Sequence, residues 1–171
     1  MPAAPAAALL LVLGLRQAAP ARARRIVGAT VVGGLLLGVL ILRADGALAG
    51  MGRRAAGELI APRVARGERV WFAGHWGFQW YAERAGGRPL TTSPPRPARG
   101  DLVVAASVTP TDRVLEVVPG RQLVETLVDA RPGGRVMSRA SGAGFYSNGW
   151  GFLPWSWGTG DVERFEVWRV Q

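Results

Sequence analysis

The sequence predicts a membrane-anchored α/β protein. One to two transmembrane helices lead into a small mixed-sheet α/β domain that contains a β-α-β unit. Three observations predict this. Residues 26–42 (IVGATVVGGLLLGVLIL) form an uncharged run of 17 residues. Residues 69–91 read as strand, helix and strand in succession. The chain has 171 residues, 49% of them apolar, and no cysteine. Such a chain has room for one modest domain and is too hydrophobic to stay disordered. Without cysteine, a disulfide framework, a thiolate zinc site and a cysteine nucleophile are all excluded.

The N-terminal region, residues 1–45, comes first. As a helix, residues 26–42 span about 26 Å, slightly less than the ~30 Å hydrocarbon core, and Arg25 and Arg43 can snorkel to close the gap. Gly33, Gly34 and Gly38 weaken a helix in water but permit close packing in lipid. A domain this small has no core that could surround a segment apolar on every face. Residues 3–15 (AAPAAALLLVLGL) are too short to cross alone and lack a charged leading region, so they read as the end of a spanning helix that begins upstream. Arg16, Arg22, Arg24 and Arg25 lie between the two stretches with no acid among them. By the positive-inside rule that loop is cytoplasmic, and residues after Leu42 lie outside the cytoplasm, beyond the inner membrane. A cleaved export signal, with Arg24-Arg25, the apolar run and Ala47-Leu48-Ala49, gives the same sidedness.

The net charge of +9 comes from 21 basic residues, all Arg. Five Arg face one Asp in residues 1–45, and 16 Arg face 11 acids in the remainder, so no domain is strongly basic. Beyond Arg22–Arg25 there is no basic run, and the expected partner is membrane lipid rather than nucleic acid.

Residues 46–67 read as a connector or short interfacial helix interrupted at Pro62. The domain then occupies residues 68–171. Arg69 to Ala73 is a continuously apolar run, a strand covered on both faces. His75 to Ala85 has helical spacing with Trp76 and Trp80 at i, i+4, and Gly86-Gly87 ends it. Arg88 to Thr91 forms the next short strand. Thr92 to Gly100 is a proline-rich loop, and Asp101 to Val108 another strand apolar on both faces. Arg113 to Val118 and Arg121 to Val128 read as half-exposed strands joined at Pro119-Gly120, a pair suited to a type II turn. Residues 138–160 are Gly, Ser and aromatic without periodicity. Glu163 to Val170 alternates as a closing strand, with Phe165 and Val167 on one side and Glu166, Trp168 and Val170 on the other.

Several of these segments carry a resemblance. Val70 to Gly86, with GHWGFQ and the following tyrosine, and Gly100 to Val104 resemble the extracytoplasmic C-terminal region of bacterial protein-mannosyltransferase-like membrane glycosyltransferases, of the GT-C, glycosyltransferase family 39 type. Arg139 to Ser147, Trp150 to Pro154 and Glu163 to Trp168 resemble the final segment of the same region. The match covers about residue 68 to the end. The resemblance implies an enzyme that takes a sugar from a polyprenyl-phosphate carrier outside the cytoplasm, with a glycan or protein acceptor. It also implies that the apolar stretches are the last helices before the C-terminal domain. The family's catalytic acids lie in a first extracytoplasmic loop that nothing here matches. No catalytic residue carries over, and the chain alone is expected not to transfer sugar. The alternative is an anchored or exported module that binds cell-envelope glycan.

The candidate ligand or partner contacts are His75, Trp76, Gln79, Tyr81, Trp150, Trp155 and Trp157. His75, the one histidine, sits where a strand hands over to a helix, the crevice where open α/β sheets bind ligands, but the position is read first as a local cap or loop hydrogen bond. Free amides at that helix start favour an anion such as phosphate. Of the seven tryptophans, Trp71, Trp76 and Trp80 fall in strand and helix patterns that assign them to the core. Trp150, Trp155 and Trp157 lie in the aperiodic segment, where flat faces can stack on sugars or anchor at a membrane interface. The carboxylates Glu83, Asp101, Glu116, Glu125, Asp129, Asp161, Glu163 and Glu166 sit near arginines and read as solvated ion-pair partners. No metal or cofactor is indicated, because one His without Cys leaves only carboxylates.

Overall fold

The computed structural model describes residues 10–15, 20–107, 115–118 and 120–171. Residues 41–171 form one compact unit and residues 1–40 another. Residues 10–15 are helical, and the rest of the expected 3–15 helix lies outside the described residues, as does Arg16. Helix α1 covers Pro20–Ala55. It contains the apolar run and is long and apolar enough to cross a membrane, with an 18-residue stretch of mean hydropathy 2.2 that is nowhere buried. A core helix would be covered by other parts of the chain, and this stretch is not.

Of residues 46–67, expected as a connector or short interfacial helix, those up to Ala65 continue the helix and Arg66 and Gly67 form a turn. A single π turn at Ala56–Ile60 follows α1, then α2 at Ala61–Ala65, with Pro62 in its first turn. Proline lacks an N–H and its ring crowds the carbonyl four residues back. A widened turn just before Pro62 lets the helix continue past that position. The helix persists because Met51, Ala55, Leu59 and Ile60 are fully buried, forming an apolar face that packs into the domain core.

The main sheet has five strands. They are β1 (Val70–Ala73), β2 (Arg88–Pro89), β3 (Leu102–Ala106), β4 (Arg121–Asp129) and β9 (Glu163–Val170), in the order β2-β1-β3-β9-β4. β1 pairs parallel with both β2 and β3, while β9 pairs antiparallel with β3 and β4, so the sheet is mixed. Every residue of β1 and β3 is buried, as continuous apolar runs require. β9 alternates as its sequence predicts: Phe165 and Val167 enter one core layer, Trp168 and Val170 the other.

Helix α3 (Trp76–Arg84) joins β1 to β2 and completes the β-α-β unit. It stops at Gly86, whose φ of 86° is open to glycine at little cost. Gly87 N–H donates to the Ala82 carbonyl and Gly86 N–H to that of Glu83, a Schellman closure of the orphan carbonyls. The core assignment fails for two tryptophans. Trp71 is buried, but Trp76 and Trp80 are 50% and 54% exposed. Phe78 and Ala82, the other i, i+4 pair, face the sheet. Phe78 meets Phe72 at 5.7 Å and Phe165 at 4.6 Å between ring centroids.

The expected strand over residues 113–118 is also corrected. Arg113, Val114 and Pro119 lie outside the described residues, but Leu115 to Val118 form a turn, with Val118 N–H bonded to the Leu115 carbonyl at 3.0 Å. Leu115, Val117 and Val118 cover Trp71, Val103 and Ala105 on the second face of the sheet, so they cannot stand in its plane. Arg121 holds the turn by donating to the carbonyls of Leu115 and Val118, both at 3.0 Å. Gly120 has a φ of 63°, as a type II turn needs there. The partner of β4 is β9, reached through long-range pairing.

Residues 138–160 hold more order than their composition suggests. β5 (Gly133–Arg135) pairs with β8 (Ser156–Gly158), and β6 (Met137–Ser138) with β7 (Ala143–Gly144), all antiparallel. Glycines make this possible, since a side chain on Gly144 or Gly151 would collide with the backbone of Gly151 or Gly142 respectively.

Candidate functional site: a cleft at the ends of the parallel strands

β1 lies between β2 and β3, all three parallel. The chain leaves β1 toward β2 and leaves β3 toward the opposite edge of the sheet. Connections that diverge in this way open a crevice at the carboxyl ends of the two strands. A cleft of about 320 Å³ occupies that position. One wall is helical, from Asp45, Leu48, Ala49 and Gly52 of α1; the other comes from His75 to Phe78 at the start of α3. Ala106, Glu163 and Phe165 form its base, and Tyr146 reaches in from the segment after β7.

The handover from β1 to α3 shapes one wall. A side chain at Gly74 would collide with the Phe78 ring, and one at Gly52 would press on the Phe78 backbone at 3.3 Å. Glycine at both places lets α1, β1 and α3 approach closely. His75 is the extended residue before the helix, and its side chain makes no capping bond. The expected local cap is therefore absent, and the imidazole faces the cleft and solvent. Trp76 follows with a φ of 55°. For a bulky L-residue the left-handed region costs about 1–2 kcal/mol. Strain of this kind persists where the surrounding structure imposes it, and it clusters at functional sites. Its result here is to hold the indole at the cleft against Tyr146, ring centroids 5.3 Å apart and planes inclined at 35°.

The Tyr146 hydroxyl donates to Asp45 Oδ1 at 2.7 Å. Burial pushes the phenol up to about 12, and the bond and charge of Asp45 act in the same direction. Removing its proton would place a phenolate beside a carboxylate, so Tyr146 stays a neutral donor. Glu163 is buried, and its Oε1 accepts from Ser107 N–H at 3.1 Å, Ser107 Oγ at 3.0 Å and Arg164 N–H at 2.8 Å. The cleft is thus lined by four aromatic rings (Trp76, Phe78, Tyr146 and Phe165), two carboxylates and one imidazole. No arginine is among the described residues that line it. Flat aromatic faces beside hydrogen-bond acceptors suit the C–H faces and hydroxyls of a saccharide, whereas carboxylates oppose a phosphate. Among the described residues no group of three or more His, Cys, Asp or Glu could hold a metal ion.

Of the seven candidates only His75 and Trp76 line the cleft. Gln79 donates to Glu83 on the outside of α3 at 2.9 Å. Tyr81 stands edge-on to Trp80, 5.0 Å away. Trp150 lies under the Arg139 guanidinium at 4.5 Å. Trp155 packs where Gly134 and Ala44 leave room, with its indole N–H buried and without a partner among the described residues. Trp157 is exposed. Asp45, Tyr146 and Glu163 were missed. Tyr146 and Glu163 lie in segments that carry the resemblance, and Asp45 is the sole acid before Glu58, but nothing local brings the three together.

The carboxylates also divide differently from the expectation. Glu125 and Asp161 pair with Arg63 and Arg164 near the surface, but Asp101, Asp129 and Glu163 are buried. Asp101 accepts from Arg69 Nε at 2.8 Å and from both Trp71 Nε1 and Ala98 N–H at 2.9 Å, tying β1 to the start of β3. Arg131 grips Asp129 through its guanidinium and holds that carboxyl below its ordinary range against the opposing effect of burial.

Comparison with protein-family models, curated proteins and solved structures yields no match to this chain.

Proposed function

We propose that the chain is the membrane-anchored carboxyl-terminal part of a GT-C-type glycosyltransferase that takes sugar from a polyprenyl-phosphate carrier outside the cytoplasm. In this reading α1 spans the inner membrane, and residues 41–171 hold the saccharide in the cleft without performing transfer themselves. The observation that carries the reading is the cleft at the carboxyl ends of β1 and β3, with Trp76 and Tyr146 beside the carboxylates of Asp45 and Glu163. The resemblance of residues 68–171 supplies the enzyme class. The cleft receives the sugar rather than the phosphate, because two carboxylates line it.

The test uses the full chain in nanodiscs, titrated with methyl hexopyranosides and with undecaprenyl-phosphate hexoses while ligand saturation transfer is followed by NMR. Binding is expected to at least one hexose, to be lost in Trp76→Ala, and to be indifferent to inorganic phosphate. Equal binding by Trp76→Ala, or no binding across the panel, overturns the cleft assignment. Sugar transfer by the purified chain alone overturns the non-catalytic role.

A second reading, an anchored or exported cell-envelope glycan-binding module, is favoured by one observation: every lining residue belongs to the unit 41–171. Such a module binds glycan without co-purifying with a larger membrane enzyme, whereas the first reading expects such a partner or continuation.

A further inference from the structure

The segment from β7 through β8 displays large apolar side chains that the cleft does not use. Phe152 is 91% and Trp157 64% exposed, and Phe145 and Leu153 are exposed beside them. Single exposed apolar residues are ordinary, but these four come from one short segment. From Ala140 to Gly160 that segment and its flanks hold no charged residue, in a chain with 21 arginines and 12 acids. Placing it at a lipid interface therefore desolvates no charged residue of its own. The proline-rich loop at 92–100, by contrast, carries two arginines and no aromatic ring.

The segment is pinned next to the end of the apolar run. That run ends at Leu42, and the Tyr146 hydroxyl is bonded to Asp45, three residues further along the same helix. Trp155 packs beside Ala44 and Gly134. At 1.5 Å per residue, Asp45 stands about 4.5 Å beyond Leu42. The polar layer of a bilayer adds about 5–7 Å to each side of the hydrocarbon core. A helix whose hydrocarbon boundary falls at Leu42 thus sets Tyr146 and Trp155 within that layer. Aromatic side chains favour this depth, with their apolar bodies in the acyl boundary and their polar tips among headgroups.

We infer that Phe145, Phe152, Leu153 and Trp157 form a second membrane contact, resting in the headgroup layer on the side where α1 emerges. The inference rests on the reading that α1 spans the bilayer. The occupant of the surface is lipid. The cleft runs from Asp45 to Gly52, about 4.5 to 15 Å beyond Leu42, so it begins within the headgroup layer, where a lipid-linked sugar presents its head, and continues outward.

The absence of cysteine allows single nitroxide labels in the full chain. Leu35→Cys, Phe152→Cys and Arg96→Cys are labelled separately in nanodiscs of phosphatidylethanolamine and phosphatidylglycerol. Accessibility to oxygen and to a water-soluble nickel chelate then gives the depth of each label. The expected order is Leu35 deep in hydrocarbon, Phe152 at headgroup depth with nickel access several-fold below that of Arg96, and Arg96 in water. Nickel access at Phe152 equal to that at Arg96, with Leu35 buried in lipid, overturns the second contact and leaves the anchor standing. Nickel access at Leu35 overturns the anchor, and the second contact with it. Phe152 and Arg96 are exposed, so the labels at those positions leave the fold undisturbed.

Discussion

Trp76 offers a test in which the sign of an effect, as well as its size, distinguishes the backbone described from an ordinary helix start. Its φ of 55° costs any L-residue about 1–2 kcal/mol, and glycine is free of that cost. Trp76→Ala keeps the left-handed backbone with a Cβ, whereas Trp76→Gly removes the Cβ and the strain. Both variants lose the ring contact with Tyr146, worth about 0.5–1.5 kcal/mol, so that term cancels between them. Glycine also orders more entropy on folding, which takes back part of the gain. Trp76→Gly should therefore be more stable than Trp76→Ala by about 1 kcal/mol. At a normal helical φ the order reverses, alanine being better by about 1 kcal/mol. The alternatives differ by about 2 kcal/mol, well outside the error of urea midpoints compared at constant slope. The assay is urea unfolding of both full-chain variants in the same detergent micelles, followed by the fluorescence of their six remaining tryptophans. A Trp76→Ala variant as stable as Trp76→Gly, or more so, refutes the strained elbow and the account of why the indole stands at the cleft.

Two further outcomes follow from the polar groups. Asp101→Ala strands the buried Trp71 indole N–H and the Ala98 amide, while the exposed Arg69 regains water, so a loss of about 2–4 kcal/mol is expected. Asp101→Asn keeps one acceptor and should lose less; urea midpoints that coincide for Asp101→Ala and the parent chain would contradict this. For Tyr146, the folded state holds the proton more tightly than an unfolded chain with its ordinary value of 10.0. Its contribution to stability is therefore complete below pH 10 and declines as pH rises toward about 12. Absorbance titration at alkaline pH should show a late-ionising tyrosine component that Tyr146→Phe abolishes. A late component that is absent from the parent chain, or that survives in Tyr146→Phe, would contradict the buried hydrogen bond.

Most elements of the domain were legible in the sequence because their signals are local. Uninterrupted apolar runs at Val70–Ala73 and Leu102–Ala106 announce strands covered on both faces, and the structure buries every residue of each. Gly86-Gly87 announces the end of α3 because its backbone needs a left-handed residue there. The uncharged run at 26–42 announces a helix able to cross a bilayer, and it lies unburied within α1. His75 was legible as a candidate crevice residue from its strand-to-helix handover, but the divergence of the β1 and β3 connections that opens the crevice shows only in the sheet order.

What tertiary structure decided is everything that depends on two distant segments meeting. Helix α3 carries two i, i+4 apolar pairs, and periodicity cannot choose between them. Phe72 and Phe165 choose Phe78 and Ala82, which turns Trp76 and Trp80 outward. β4 takes β9 rather than its sequence neighbour, because Leu115 to Val118 are needed as a cover for the second face of the sheet. The helix continues from residue 46 to Ala65 since the sheet provides a surface for its apolar face. Asp45, Tyr146 and Glu163 meet around one cleft from segments up to 118 positions apart in the chain. Local propensity acts over a few residues, whereas a binding site is assembled by packing, so the sequence alone determined the pieces and the fold alone determined which of them touch.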